Sequence, residues 1–179
     1  MRLFVAVRPP AEVLAHADVA LAPERAAHPD LRWVPPERWH LTLAFYGEVP
    51  DDKVDGADGV VGMVERRLRG HVSCALSFAG AGQFSRRALW LGVTGEVDVL
   101  RATARAVTFE RRPYRPHLTV ARLRGGADAA QVVESLRTYA GPVWTAGTVH
   151  LVRSRLGPSP SYEDVASWTL PEPTLSPPT

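Results

Sequence analysis

A six-residue pattern occurs twice in this chain, as Trp39-His40-Leu41-Thr42-Leu43-Ala44 and as Pro116-His117-Leu118-Thr119-Val120-Ala121. Each copy sets a histidine and a threonine two apart, with aliphatic residues between and beyond them. Side chains of a β-strand alternate between faces, so His40 and Thr42 share one face while Leu41 and Leu43 share the other. The same alternation separates His117 and Thr119 from Leu118 and Val120. Each copy therefore predicts a strand with an aliphatic face on a core and a His-Thr pair on an open surface. His-Leu-Thr-aliphatic-Ala twice in one short chain argues against accident. A lone strand histidine is more often structural than catalytic, and His16, His28, His71 and His150 lack such company.

The rest of the chain supplies matching surroundings. Arg2–Val7 reads as a strand, and Ala11–Ala27 as a helix entered just after Pro10. Residues 31–34 read as a short extended piece ended by Pro35-Pro36, and 40–45 as the first motif strand. A helix is expected over 50–69, with Asp51 and Asp52 at its positive end and Gly70 as its stop. Residues 71–78 and 88–93 read as strands joined by a turn carrying Gly80, Gly82, Arg86 and Arg87. A helix over 96–107 leads through a proline-punctuated segment to the second motif strand at 117–123. A helix over 127–139 and strands over 143–154 and 162–170 close the chain. The order of elements in the first half is approximately repeated in the second. The expectation is an α+β fold of two similar lobes within one domain over 1–170, each lobe giving one histidine strand to a shared cleft. The segment from 171 to 179 holds four prolines and no aromatic residue and is expected to be a disordered tail.

Composition narrows the functional classes. With 179 residues, 45% hydrophobic and 22% charged, the chain resembles an ordinary soluble domain with a real interior. No run of about 18 apolar residues exists, so no membrane span is expected. The opening MRLFVAVRPP reads as a strand stopped by prolines rather than a signal sequence, and cytoplasm is the expected compartment. Cys74 is the only cysteine, which excludes an intrachain disulfide and a thiolate metal cluster. Its apolar flanks predict a buried core residue. Net charge is +2, with Lys53 the sole lysine. Arginine's planar fork suits phosphate, yet this balance neither demands nor excludes nucleic acid.

Two histidines titrating near neutrality can hold one proton between them, one acting as base and the other as acid. That suits cleavage of a phosphodiester whose two ester oxygens lie on opposite sides of phosphorus. Thr42 and Thr119 can donate to the non-bridging oxygens, which carry the transition-state charge. No metal is needed. Neither motif holds a carboxylate, and no His-x-His or His-x3-His spacing occurs, so neither metal nor other cofactor is expected.

The doubled His-x-Thr-x motif, the opening RLFVAV and the second copy RPHLTVAR resemble the two-histidine phosphoesterase superfamily. Within it the chain is similar to the RNA 2′,3′-cyclic phosphodiesterases, also described as 2′-5′ RNA ligase-like. Arg32-Trp33-Val34, LWLGV at 89–93, and Leu151-Val152-Arg153-Ser154 with Tyr162 support the resemblance, which covers about 1–170. It implies two α/β lobes with antiparallel sheets related by a pseudo-twofold around a central cleft; separately, a monomer is expected. It implies that His40 is the proton donor to the departing ribose 3′ oxygen. It makes His117 the acceptor that activates water, leaving a 2′-phosphate. Thr42 and Thr119 would hold the phosphate, and Arg122 matches a basic phosphate-binding position. Strict alternation, however, turns Arg122 away from His117, so that role requires a β-bulge.

The substrate implied is RNA with a 2′,3′-cyclic phosphate end, or a small nucleotide in its place. The same residues could join such an end to a 5′-hydroxyl, or act on a 2′-5′ linked oligonucleotide. A non-catalytic RNA-end binding module is the alternative of another class; turnover distinguishes it. Trp39, Phe45 and Tyr114 lie near the motifs, either to stack on bases or to pack in the core.

Overall fold

The computed structural model describes residues 1–85, 87–124, 128–155 and 161–174. Two antiparallel sheets organise it. In one, β1 (Arg2–Val7) lies between β3 (Leu41–Glu48) and β8 (Thr148–Arg155), and β9 (Ser161–Thr169) pairs with β8 in the order β3-β1-β8-β9. The other has the order β2-β6-β5-β4-β7. Its strands are β2 (Arg32–Trp33), β4 (Cys74–Phe84), β5 (Ala88–Gly95), β6 (His117–Arg122) and β7 (Trp144–Ala146). The motif strands β3 and β6 belong to different sheets and touch each other where the sheets meet. This is the α+β architecture of two antiparallel sheets that the resemblance implies.

One apolar core runs behind both sheets. Leu3, Val5 and Val7 of β1 enter it, as do Leu41 and Leu43 of β3 and Leu118 and Val120 of β6. Helix α1 (Ala11–Ala27) buries Val13, Ala17 and Leu21 at four-residue intervals, the spacing of one helical face. Helix α3 (Val97–Val107) packs on both β3 and β4, so it ties the sheets together from behind. The opposite face of β1 is buried too: Phe4 and Ala6 join Val152 and Tyr162 in a smaller cluster. Phe4 and Tyr162 of that cluster also line a cavity beside His40. Cys74 is buried, as its apolar neighbours predicted.

Several expectations are corrected. The helix expected over 50–69 is a short 3-10 turn, Asp51–Lys53, followed by α2 (Val60–Leu68). Gly56 adopts φ +84° between them, a left-handed conformation that breaks the helix. Gly80 and Gly82 lie inside β4, not in the turn. Gly80 has φ +62° at a register shift between Ala79 and Ala81. Any Cβ on Gly82 would collide with the Trp90 indole that lies over it. The turn is carried by Ser85 and Arg87; Arg86 lies outside the described residues.

The helix expected over 127–139 is only α4 (Ala130–Ser135); Ala127 lies outside the described residues. The strand expected over 143–154 is two strands, parted at Gly147 and placed in different sheets. The lobes are therefore not consecutive halves of the chain. β2 crosses into the second sheet, and β8 and β9 return to the first. Of the expected tail, Pro171 accepts a backbone hydrogen bond from Ser73 at 2.8 Å, and 175–179 lie outside the described residues. No described helix is long and apolar enough to cross a membrane.

Candidate active site

The two motifs share a second symmetry that alternation alone does not predict. β6 pairs with β5 through Trp90 opposite Thr119 and Leu89 opposite Ala121, leaving Val120 without a partner. β3 pairs with β1 through Ala6 opposite Thr42 and Val5 opposite Ala44, leaving Leu43 without one. Each unmatched residue is the third after its histidine, and both are buried. A bulge of this kind inverts the alternation beyond it. In β6 it turns Arg122 back onto the face of His117 and Thr119. In β3 it does the same for Phe45, which is 45% exposed. The condition for Arg122 to reach a phosphate is thus met by the backbone.

His40, Thr42, His117, Thr119 and Arg122 line one cavity of about 230 Å³. All five site residues expected from the sequence meet there. Arg32, Trp33, Arg38 and Tyr162 complete the wall. Arg32 is the cross-strand partner of Arg122 in the β2–β6 pair. The buried Nε of Arg38 has no protein acceptor. Like charges placed opposite each other and an unpartnered buried donor both disfavour an empty cavity and favour an anion. Arg38 sits immediately before the first motif but outside its repeated residues, and Tyr162 reaches the cavity from β9, far from either motif, so neither role is marked by the repeat. Arg32 and Trp33 are flagged by their place ahead of the first motif. Of the aromatic residues near the motifs, Trp39 is core: it is 2% exposed and donates its Nε1 to the Val34 carbonyl at 2.8 Å. The hydroxyl of Tyr114 is buried without a partner, and Phe45 alone faces solvent.

Both imidazoles are held alike. Nδ1 of His40 donates to the Arg38 carbonyl at 2.8 Å, and Nδ1 of His117 donates to the Arg115 carbonyl at 2.7 Å. A carbonyl only accepts, so the proton sits on Nδ1 and Nε2 is left for substrate. That nitrogen accepts a proton in the neutral ring and donates one in the cation. Aromatic walls set the planes of the rings. Phe4 stacks on His40 at 4.8 Å and Tyr162 meets it edge-on at 5.4 Å. Phe84 meets His117 edge-on at 4.9 Å, and Trp90 stands 6.5 Å away. Gly82 leaves room for the Trp90 indole, whose ring atoms a Cβ there would overlap.

Burial pushes His40 down to about 4. The nearby charges of Arg8, Arg122 and His117 act in the same direction, against the Arg38 carbonyl bond. Burial and then Arg122 also lower His117, against the Arg115 carbonyl bond. His40 is therefore neutral in the folded chain at pH 5, where an unfolded histidine is protonated. Below 6.5 the unfolded chain binds the proton first. The stability contributed by a neutral His40 is complete above pH 6.5 and is lost as pH falls toward 4. The loss should total about 3 kcal/mol. Denaturant titrations from neutrality to pH 4 should register it, and His40→Gln should flatten that stretch of the curve. An equal acid loss in the variant would contradict the burial of His40 as its source.

Among the described residues, no three His, Cys, Asp or Glu side chains gather as metal ligands. The donor set is imidazole, hydroxyl and guanidinium, suited to an anion.

The sequence pattern of the 2′-5′ RNA ligase superfamily matches residues 9–158. An RNA 2′,3′-cyclic phosphodiesterase of Methanothermobacter thermautotrophicus is 30% identical over 162 residues, 82% of this chain and 86% of the relative. One from Geobacillus stearothermophilus is 32% identical over 77% of this chain, which spans only 47% of that longer relative. Among solved structures, Escherichia coli LigT complexed with ATP superposes with a TM-score of 0.72 at 26% identity, covering 96% of this chain and 98% of that one. LigT complexed with 3′-AMP superposes with a TM-score of 0.66 at 26% identity, covering 94% of this chain and 96% of that one. By its matched length, its relatives and its two-sheet fold, the chain belongs to the 2′-5′ RNA ligase superfamily.

Proposed function

We propose that this protein hydrolyses RNA 2′,3′-cyclic phosphate ends to 2′-phosphomonoesters, with His40 as proton donor and His117 as proton acceptor. The observation that carries the proposal is the pair of carbonyl-anchored imidazoles, one from each sheet, on a single arginine-lined cavity. A cyclic phosphodiester placed between them meets one imidazole at the water and the other at the departing 3′ oxygen. His117 removes the proton from water as its oxygen bonds to phosphorus, and His40 protonates the 3′ oxygen as the P–O3′ bond breaks. Thr42 and Thr119 donate to the non-bridging oxygens, and Arg122 balances their charge. The relatives named as RNA 2′,3′-cyclic phosphodiesterases and the 3′-AMP complex of LigT support a ribonucleoside phosphate as ligand.

An acid must carry a proton, and His40 in the free protein does not. The substrate supplies the compensation. A phosphate charge about 4 Å from an imidazolium is worth roughly 4 kcal/mol at an effective dielectric of about 20. That matches the roughly 3 kcal/mol that holds His40 down. The proton is thus taken up together with the substrate. The donor role of His40 follows the resemblance of the motifs.

The test is product identity. RNA ending in a 2′,3′-cyclic phosphate, incubated with a catalytic amount of protein, should be converted to the 2′-phosphate with full activity in EDTA. Cyclic phosphate retained at stoichiometric protein would make the chain a binding module instead. A 3′-phosphate product would reverse the assignment of the leaving oxygen.

A further inference from the structure

The phosphate cavity is continued on the side of Thr42 and His117. From these residues a groove of about 620 Å³ runs past Phe45 and Phe84 to Arg87, Arg112 and Arg115. At Thr108, Glu110 and Arg112 it merges with a depression of about 670 Å³ whose far bank is Arg101 and Arg105. Arg101 and Arg105 stand one turn apart on α3 and so share a face. A second opening lies beyond His40, a cavity of about 450 Å³ lined by Arg8, Glu37 and Arg38.

Charge separates the two openings. Beyond His40, Arg8 is neutralised by both oxygens of Asp164 at 2.6 and 2.8 Å, and Glu37 lines the wall together with Arg38. Along the groove, Arg87, Arg105, Arg111, Arg112 and Arg115 are exposed and make no ion pair among the described residues. Arg101 alone is paired, with Asp98 at 2.8 Å, and Glu110 is the one carboxylate lining either depression. Like charges gathered without ion-pair partners repel, and among the described lining residues only Glu110 offsets them. Phe45 adds a half-exposed apolar ring where the bulge in β3 turns it outward, flanked by Phe4 at 6.3 Å and the Arg2 guanidinium at 5.0 Å, and the partly buried Phe84 lies beside His117.

We infer that this groove is the track for the single-stranded RNA behind the reacting end, with phosphates on Arg87, Arg112, Arg115 and Arg105 and a base stacked on Phe45. The inference rests on the proposed hydrolysis for the identity of the ligand and extends it. The substrate class is an oligoribonucleotide, held along its backbone, rather than a cyclic mononucleotide. Stacking platforms beside a basic groove are how single strands are bound without sequence readout.

The test compares a cyclic mononucleotide with cyclic-phosphate oligoribonucleotides of increasing length. The value of kcat/KM should rise with length by on the order of tenfold to a hundredfold before levelling, mostly through KM, since each stacked base contributes ~1–3 kcal/mol. In the Arg105→Ala/Arg112→Ala variant, whose substitutions are on exposed side chains, the ratio of long to short substrate should collapse. Its dependence of log KM on log salt should become shallower by about 0.7 for each lost phosphate contact. Equal kcat/KM at every length, or an unchanged salt slope in the variant, would overturn the track. So would displacement of a labelled oligoribonucleotide by an acidic peptide more readily than by unlabelled RNA. Fluorescence anisotropy with the labelled strand reads the track without turnover. Arginine-dependent binding with no hydrolysis of any cyclic phosphate would sink the proposed activity and leave the track standing.

Discussion

Replacing His117 with alanine is expected to lower kcat on a 2′,3′-cyclic phosphate RNA by about 10²–10⁴-fold, and His40→Ala is expected to do the same. Neither change should unfold the chain. Both imidazoles stand on the cleft side of their strands, while the core is carried by Leu41, Leu43, Leu118 and Val120 on the other side. The double variant should be little worse than either single one, because the proposed acid and base act on opposite ends of one proton-coupled displacement. Circular dichroism and a denaturant midpoint measured beside the kinetics separate lost chemistry from lost fold. Near-normal turnover in either single variant would remove that histidine from the mechanism.

The threonines give the second large effect. Thr42→Val and Thr119→Val keep the β-branched shape that the strands favour and delete only the hydroxyl. Each should lower kcat by about 10²–10³-fold, the usual cost of losing one donor to a transition-state oxyanion. The substituted residues are half-buried on the cavity wall, so KM should change less than kcat. If the hydroxyls serve the strand and not the phosphate, both variants will turn over like the parent and differ only in stability. Arg122 belongs to the same arrangement by way of the unmatched Val120.

Much of this site was legible in the residues. The repeated His-x-Thr word named four of its side chains, because period-two alternation assigns each residue of a strand to a face by its position alone. The first strand and first helix were equally plain, being bounded by Pro9 and Pro10 and filled with residues of one pattern. What the pattern hid was of two kinds. Bulges are a property of the ladder between strands, so a single strand's sequence cannot reveal that Leu43 is skipped in the register with β1 and Val120 in that with β5; that concealed the facing of Arg122 and Phe45. Sheet membership is likewise invisible to alternation. Residues 143–154 read as one strand, yet Gly147 passes the chain from the second sheet to the first. That return is what brings Tyr162 over His40 at 5.4 Å. Gly80 and Gly82 carried the usual composition of a turn, while at Gly82 the glycine is required instead by the indole lying over it.

The division of labour between the histidines is tested most directly by changing the leaving atom. A cyclic substrate with sulfur in place of the 3′ oxygen departs as a thiolate, which needs no proton from an acid. His40→Ala should hydrolyse this substrate at close to the parent rate, while His117→Ala, lacking the proposed base for water, should stay as slow as on the oxygen substrate. Rescue of His117→Ala instead, or of neither variant, would contradict the account.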